Sequence, residues 1–507
     1  MSFPRASGIL LHPTSLPGRF GIGDLGKEAY QFADFLASTG QRLWQILPLG
    51  PTGYGNSPYQ CLSVFAGNPL LISLERLVED EFLAPVDLDN APFFPKDKVD
   101  YGSVIKFKMP LLKKSFETFE KKAAPSERGQ FEVFCQHNAS WLETYSLFMA
   151  LKEAHGLAAW NTWEEDIQRR QPNSLEHWSK KLNHEIYYHK YQQYQFFRQW
   201  SELKEYCNER GIRFIGDMPI FIALDGAEAW AHPEMFYLDD SGRPTVVAGV
   251  PPDYFSQTGQ LWGNPLYRWD VMAEDGYAWW IERFRATRIL VDIIRLDHFR
   301  GFEKYWEVPS TSTTAMNGRW VPGPGAELFK AVQKALGTLP IIAEDLGVIT
   351  PEVDALREQF GFPGMRVLQF TFGQDPKADN YRPHKYPRNC VVYTGTHDNN
   401  TTIGWFRGED VKDSTQSKEE REREKQLALK YLGTGGHEIN WDFIRLALMS
   451  IADTAIIPMQ DVLGLGSEAR MNLPGRAEGN WCWRFTPDML TGEIKHRLKE
   501  LTALYGR

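Results

Sequence analysis

The sequence predicts an α/β protein, a single unit spanning residues 1–507, built on a closed (β/α)8 TIM barrel with large insertions between its strands. Three observations predict it. Short β-prone apolar runs alternate with helical patterns, as parallel βαβ units require. Eight such runs occur, the number a closed barrel needs. Acidic clusters follow three of them, at the strand ends where barrel sites assemble.

The elements follow in order. Ile9-Leu10-Leu11 reads as the first strand. From Glu28 to Ala37 the apolar Ala29, Phe32, Ala33 and Leu36 share one helical face, and Gly40 stops that helix. Leu43–Pro48 is the second strand and Phe214–Asp217 the third. The near-continuous apolar run Ile289–Leu296 predicts a fourth strand buried on both sides. Leu328, Ala331, Val332, Ala335 and Leu336 make a helix face before the fifth strand, Pro340–Ala343. Thr350-Pro351 is a cap followed by proline at the first helical position, and Gly361 closes that helix. Met365–Phe370, Val391–Tyr393 and Ala455–Pro458 complete the barrel.

The spacing is uneven. An insertion of about residues 50–210, mostly helical and rich in Trp and Tyr, separates strands two and three. A second, at about 225–275, is Gly/Pro-rich and reads as loops covering the barrel mouth. The Lys418–Lys425 run of mixed charge reads as one solvated helix face.

A net charge of −9 speaks against nucleic acid or an anionic membrane as partner. No stretch approaches the ~20 apolar residues of a membrane span, and Gly8–Leu11 is too short for a signal-peptide core. Five scattered cysteines without a C-x-x-C pair argue against disulfides and structural zinc and fit a reducing compartment, so a cytoplasmic location is expected. The 17 Trp, 20 Tyr and 31 Phe serve a core first, but they also suit a groove lined with flat rings for sugars.

The chemistry sits in Arg295–Gly301, Ala343–Gly347 and Tyr393–Thr401, which end strands four, five and seven. A single acid after a strand is often only a helix cap. Three, flanked by Arg and His at matching strand ends, point to a site. Retaining cleavage of a glycosidic bond needs a carboxylate nucleophile and a carboxylic acid about 5–5.5 Å apart. Arg295, two residues before Asp297, shares its strand face and favours its ionised form. Glu344 follows an apolar strand, and desolvation there suits a general acid. His298 and His397 can donate hydrogen bonds to sugar hydroxyls. Asp345 reads as structural, and Asp217 stands evenly between substrate contact and loop anchoring. The acids and histidines match no metal motif, and no phosphate loop occurs, so neither metal nor cofactor is expected.

The segments RLDHFRGF, AEDLG and GTHDN resemble the catalytic strand ends of the α-amylase clan. Pro51–Gln60, Gly249–Ser256 and Gln260–Tyr267 narrow this to the amylomaltases, or 4-α-glucanotransferases, a likeness running from Leu10–Ser15 to Asn480–Arg484. The resemblance implies double displacement on α-1,4-glucans, with glucose or maltodextrin acceptors and cyclic glucans as further products. It makes Asp297 the nucleophile, Glu344 the acid/base and Asp398 the residue holding sugar hydroxyls. Arg295, His298, His397 and Asp217 would line the cleaved subsite. Tyr54 and Tyr101 would offer stacking surface farther out, and Tyr59, Asp253, Phe255, Trp262, Asn264 and Phe370 further sugar contacts. Asn400 stands where the family pattern has Asp, and Arg382–Lys385 matches only partly, which leaves subsite preference open. The chain ends soon after strand eight, so no C-terminal β-sandwich is expected, and a monomer or weak dimer is. An α-glucan hydrolase and a non-catalytic glucan-binding protein are the alternatives.

Overall fold

The apolar runs become strands because both faces are covered, so few polar residues interrupt them. The computed structural model describes residues 3–252, 256–373, 378–409, 417–476 and 478–507. Its strands begin with β1 (Ala6–Leu10), β2 (Leu43–Ile46), β3 (Arg213–Met218), β4 (Val246–Val250), β5 (Gln260–Pro265) and β6 (Ile293–Leu296). They continue with β7 (Lys304–Pro309), β8 (Arg319–Pro322), β9 (Ile341–Ala343), β10 (Gly364–Val367), β11 (Cys390–Tyr393) and β12 (Thr454–Pro458). Eight of them form one parallel sheet in the order β10-β11-β12-β1-β2-β3-β6-β9, with β1, β2, β6, β11 and β12 buried along their whole length. All eight runs singled out in the sequence lie in this sheet.

Its two ends meet at a seam between β9 and β10. The Ala343 N–H donates to the Pro363 carbonyl at 2.9 Å, and the Asp345 carboxylate accepts from the Met365 N–H at 2.6 Å. Asp345 is buried and also faces Arg357 at 3.3 Å and Arg366 at 3.5 Å. A β-carbon on Gly364 would fall 2.2 Å from the Asp345 Oδ2, so only glycine lets the carboxylate come this close. Asp345 staples the barrel shut.

The long helices of the first insertion begin at Tyr101, and the stretch from 47 to 100 is loop with 3-10 turns and one short helix, Leu74–Glu79. The long helix Asn183–Glu209 ties that loop to the barrel through two buried glutamines. Gln193 accepts from the Gly67 N–H (2.7 Å) and donates to its carbonyl (2.9 Å), and Gln199 does the same for Ser73 (2.8 and 3.3 Å). Buried amides paired at both ends cost little and set the loop's register. The charged run expected as a solvated face begins the helix Lys418–Leu432, although Glu424 is buried.

Three expectations need correction. Residues 225–275 are not only loops: β4 and β5 join β7 and β8 in a four-stranded antiparallel sheet, order β5-β4-β7-β8. Its strands come from two segments flanking β6, so local pattern cannot reveal the pairing. The run Ile289–Leu296 is not one strand. The helix Ala278–Leu290 takes its first residues, and β6 begins only at Ile293. Asp292 marks the break, its carboxylate accepting from the Phe214 N–H at 2.8 Å. Finally, Met365–Phe370 divides into β10 and a 3-10 turn, Leu368–Phe370.

Asp345→Ala leaves the buried Arg357 guanidinium, the half-buried Arg366 and the Met365 N–H short of a partner. Loss of about 3 kcal/mol of unfolding free energy is expected, measurable in urea. A loss under about 1 kcal/mol, the worth of an exposed pair, would show that the seam does not depend on this residue.

Candidate active site

Parallel strands deliver their C-terminal ends to one face, and ladder bonds carry on just past them. The Asp297 N–H donates to the Met218 carbonyl of β3 at 3.1 Å, and the Glu344 N–H to the Leu296 carbonyl of β6 at 2.9 Å. Each acid is thus hung from the neighbouring strand. Asp398, beyond β11, lies in a turn where Asn399 Oδ1 accepts from the N–H and hydroxyl of Thr396 at 2.9 and 2.8 Å. Below it, buried Asp461 accepts from the hydroxyls of Thr394 (2.5 Å) and Thr402 (2.8 Å) and from the Thr402 N–H (2.7 Å), clamping both arms of the loop.

Arg295 is the electrostatic centre. Its Nη1 donates to both oxygens of Asp217 at 2.6 Å and to Asp297 Oδ1 at 2.9 Å. Its side chain is 5% exposed, that of Asp217 0% and that of Asp297 27%. The Tyr59 hydroxyl also donates to Asp217, at 2.6 Å. Asp217, expected to line the subsite itself, is therefore an interior anchor: no surface of it is left for a sugar. Among the acids of this group Asp297 is the one in reach of solvent.

Asp297 and Glu344 are held in different protonation states. Burial raises the Asp297 carboxyl to about 6 against the opposing pull of Arg295, with Asp217 raising it further. Burial, and next the charge of Asp297, pushes Glu344 up to about 8. Glu344 Oε2 accepts from the His298 N–H at 2.7 Å and Oε1 from the Leu346 N–H at 2.8 Å. Each oxygen has two lone pairs, so the protonated acid keeps both bonds and still has its O–H to give.

The residue after Asp297 has the backbone of a turn. His298 has φ +49°, a region a non-glycine residue enters at a cost of about 1–3 kcal/mol. Burial lowers its imidazole to about 4, so it is neutral. Trp262 meets the ring edge-on at 4.8 Å.

On the other side His397 Nε2 lies 3.3 Å from Asp398 Oδ2 and its ring stacks on Tyr59 at 5.2 Å and 16°. Trp481, at φ +63°, stands 6.0 Å from His397 and 5.7 Å from Tyr59. Asn472 donates to Asp398 Oδ1 at 2.6 Å, and Arg470 to the Asp398 carbonyl at 2.6 Å and the Asn472 carbonyl at 2.8 Å. The sequence reading missed Arg470, Asn472 and Trp481. Their signal was position: Arg470-Met471-Asn472 follows the last strand, on the face where the acids gather.

The outer candidates divide. Tyr54 is 78% exposed, as a stacking surface requires. Tyr101 is not: it is 7% exposed and its hydroxyl donates to the Trp481 carbonyl at 3.0 Å, so its ring packs in the core. Asn264 is buried, donating to the Ile222 carbonyl at 2.8 Å, and is a loop tie. Trp262 and Phe370 are half-buried. Asp253 and Phe255 lie outside the described residues. Asn400 is buried and donates to the Ser467 hydroxyl at 2.8 Å. Among the described residues no group of three or more His, Cys, Asp or Glu is placed to hold a metal ion.

A family model described as 4-alpha-glucanotransferase matches residues 11–491. The chain is 54% identical to the 4-alpha-glucanotransferase of Synechocystis sp., over 99% of this chain and 98% of that one. It is 52% identical to that of Thermus thermophilus over the whole of both. The amylomaltase of Streptococcus agalactiae, solved in complex with acarbose, superposes with a TM-score of 0.94 at 41% identity, over 99% of each chain. The amylomaltase of Corynebacterium glutamicum shares the fold at a TM-score of 0.80 and 18% identity, over 98% of this chain and 75% of that one.

Asp217→Asn removes a negative charge that raises the Asp297 carboxyl and leaves Arg295 to Asp297 alone. Asp297 is expected to titrate at lower pH than in the wild type, followed by carboxyl 13C shifts. An unchanged or upward shift would break this account of the site.

Proposed function

The chain belongs to the 4-alpha-glucanotransferase family, and we propose that it moves segments of α-1,4-glucan from a maltodextrin donor to the 4-hydroxyl of glucose or another glucan. The reaction is a retaining double displacement. Asp297 attacks the anomeric carbon while Glu344 gives its proton to the departing glycosidic oxygen, forming a glycosyl ester as the C–O bond breaks. Glu344, now a carboxylate, then takes the proton of the acceptor 4-hydroxyl, which attacks the same carbon and frees Asp297. Asp398, aimed by Asn472 and His397, holds ring hydroxyls and gains most where the ring flattens. A long donor can present its own far end as acceptor, which closes a cyclic glucan.

One observation carries the reading. Asp297 is bonded to the Arg295 guanidinium at 2.9 Å, whereas Glu344 is buried with only backbone N–H groups on its oxygens and is pushed up to about 8, above the about 6 of Asp297. Two carboxyls pushed apart in this way are an acid and a nucleophile. Transfer prevails over hydrolysis when the acceptor is held and water kept out, and the exposed ring of Tyr54 offers a stacking surface for one. The same proposal has residues 1–507 working as one catalytic unit, as a cytoplasmic monomer or weak dimer without cofactor; the cysteines are free thiols, as a reducing compartment keeps them.

Maltotriose tests it. Shorter and longer oligosaccharides at constant total reducing ends are expected, and reducing ends that climb as only shorter sugars form would make the protein a hydrolase. The rate should rise with pH through about 6 as Asp297 ionises and fall through about 8 as Glu344 loses its proton. Glu344→Gln should lower kcat by about 10²–10⁴-fold. A variant within tenfold of wild type would remove Glu344 from the acid role.

A further inference from the structure

The first barrel strand lends nothing to the chemistry above, yet the residue two beyond β1, His12, sits beside His397. A pocket of about 20 Å³ lies there; its walls are mostly apolar, and His12, Ser15, His397 and Gln460 are the polar residues among them. That is room for one water molecule. Its walls are not dry. His12 is 6% exposed, and its Nδ1 is buried with no hydrogen-bond partner among the described residues. The Ser15 hydroxyl meets only the Met471 thioether, at 3.9 Å, a weak acceptor. Cavities that stay empty lack polar partners, and this one, though mostly apolar, has His12, Ser15, His397 and Gln460 on its walls to hold a water.

We propose that this cavity is a site for one ordered water bonded to His12 Nδ1 and the His397 imidazole, and that His12 is thereby a positioning residue for His397 and Asp398. Stacking on Tyr59 fixes the plane of the His397 ring, but a half-turn flip leaves that plane unchanged. Which nitrogen faces Asp398 is decided by what the other one bonds. The water supplies that bond from beneath. Burial and the nearness of His397 push the His12 imidazole down to about 3, so it stays neutral and keeps one N–H and one lone pair.

The proposal rests on the double-displacement reading, so its test has a readout apart from turnover. Leu at position 12 fills the space without a polar atom, and Asn keeps one near Nδ1. His12→Leu is expected to fold with an unchanged melt and to transfer from maltotriose with kcat about tenfold lower and KM within about twofold. His12→Asn should restore most of kcat. A high-resolution crystal of the wild-type protein should show the water within hydrogen-bond distance of His12 Nδ1. Wild-type kcat in His12→Leu, no rescue by Asn, or a dry cavity each overturns the proposal. If His12→Leu does not fold, the wild-type density and the Asn variant decide. A wild-type protein that leaves maltotriose unchanged would sink the proposed function, and the density would still judge the water site.

Discussion

A guanidinium closed off from water between two carboxylates is the placement that orders this site. Arg295 cannot shed its charge, and burying it alone would cost several kcal/mol. Barrel register resolves this, because Asp217 of β3 is the direct partner of Arg295 of β6. One anion is thus supplied by the strand pairing itself, and Tyr59 occupies it further. The second, Asp297, lies two residues along the same strand face and keeps some exposure. What reaches the cleft is the part of a buried network that the core does not need.

The same economy of placement recurs around the barrel. Asp345 spends its carboxylate on the seam between β9 and β10, one residue after Glu344. Asp461 spends its own on the two threonines that bracket Asp398. A partly satisfied buried network would be worse than none, and these two interior acids each accept several donors. Rigidity at the strand ends comes from these acids, and the exposed loops can vary around it.

Eight strands were legible because burial on both faces leaves runs that are mostly apolar, and Asp297 and Glu344 because they follow such runs directly. The limits of legibility are equally physical. Ile289–Leu296 hides a helix end, since Ile289 is an exposed apolar residue that composition cannot tell from strand, and Asp292, bonded to the Phe214 N–H and the Asn208 amide, marks the break. The β4-β5-β7-β8 sheet pairs segments from either side of β6, so no local window contains it. Tyr101 and Tyr54 look alike in a list of loop aromatics, but one begins a helix and gives its hydroxyl to Trp481 while the other stands in solvent. Asn472 and Arg470 act through bonds to Asp398 that no spacing rule contains.

The asymmetry between the two carboxyls also has to change during a double displacement. Glu344 must first give a proton and then take one, which a single fixed affinity serves poorly. The charge of Asp297 is the second largest influence holding Glu344 up, after burial. In the proposed ester that charge is gone, while Arg295 and the N–H groups of His298 and Leu346 remain and pull the other way. Glu344 is then lowered toward the carboxylate form at the step where it must act as base, with burial still opposing. Departure of the ester restores the Asp297 charge and returns Glu344 to its acid form. No group has to move for this exchange, because the fixed neighbours already oppose the one charge that is switched.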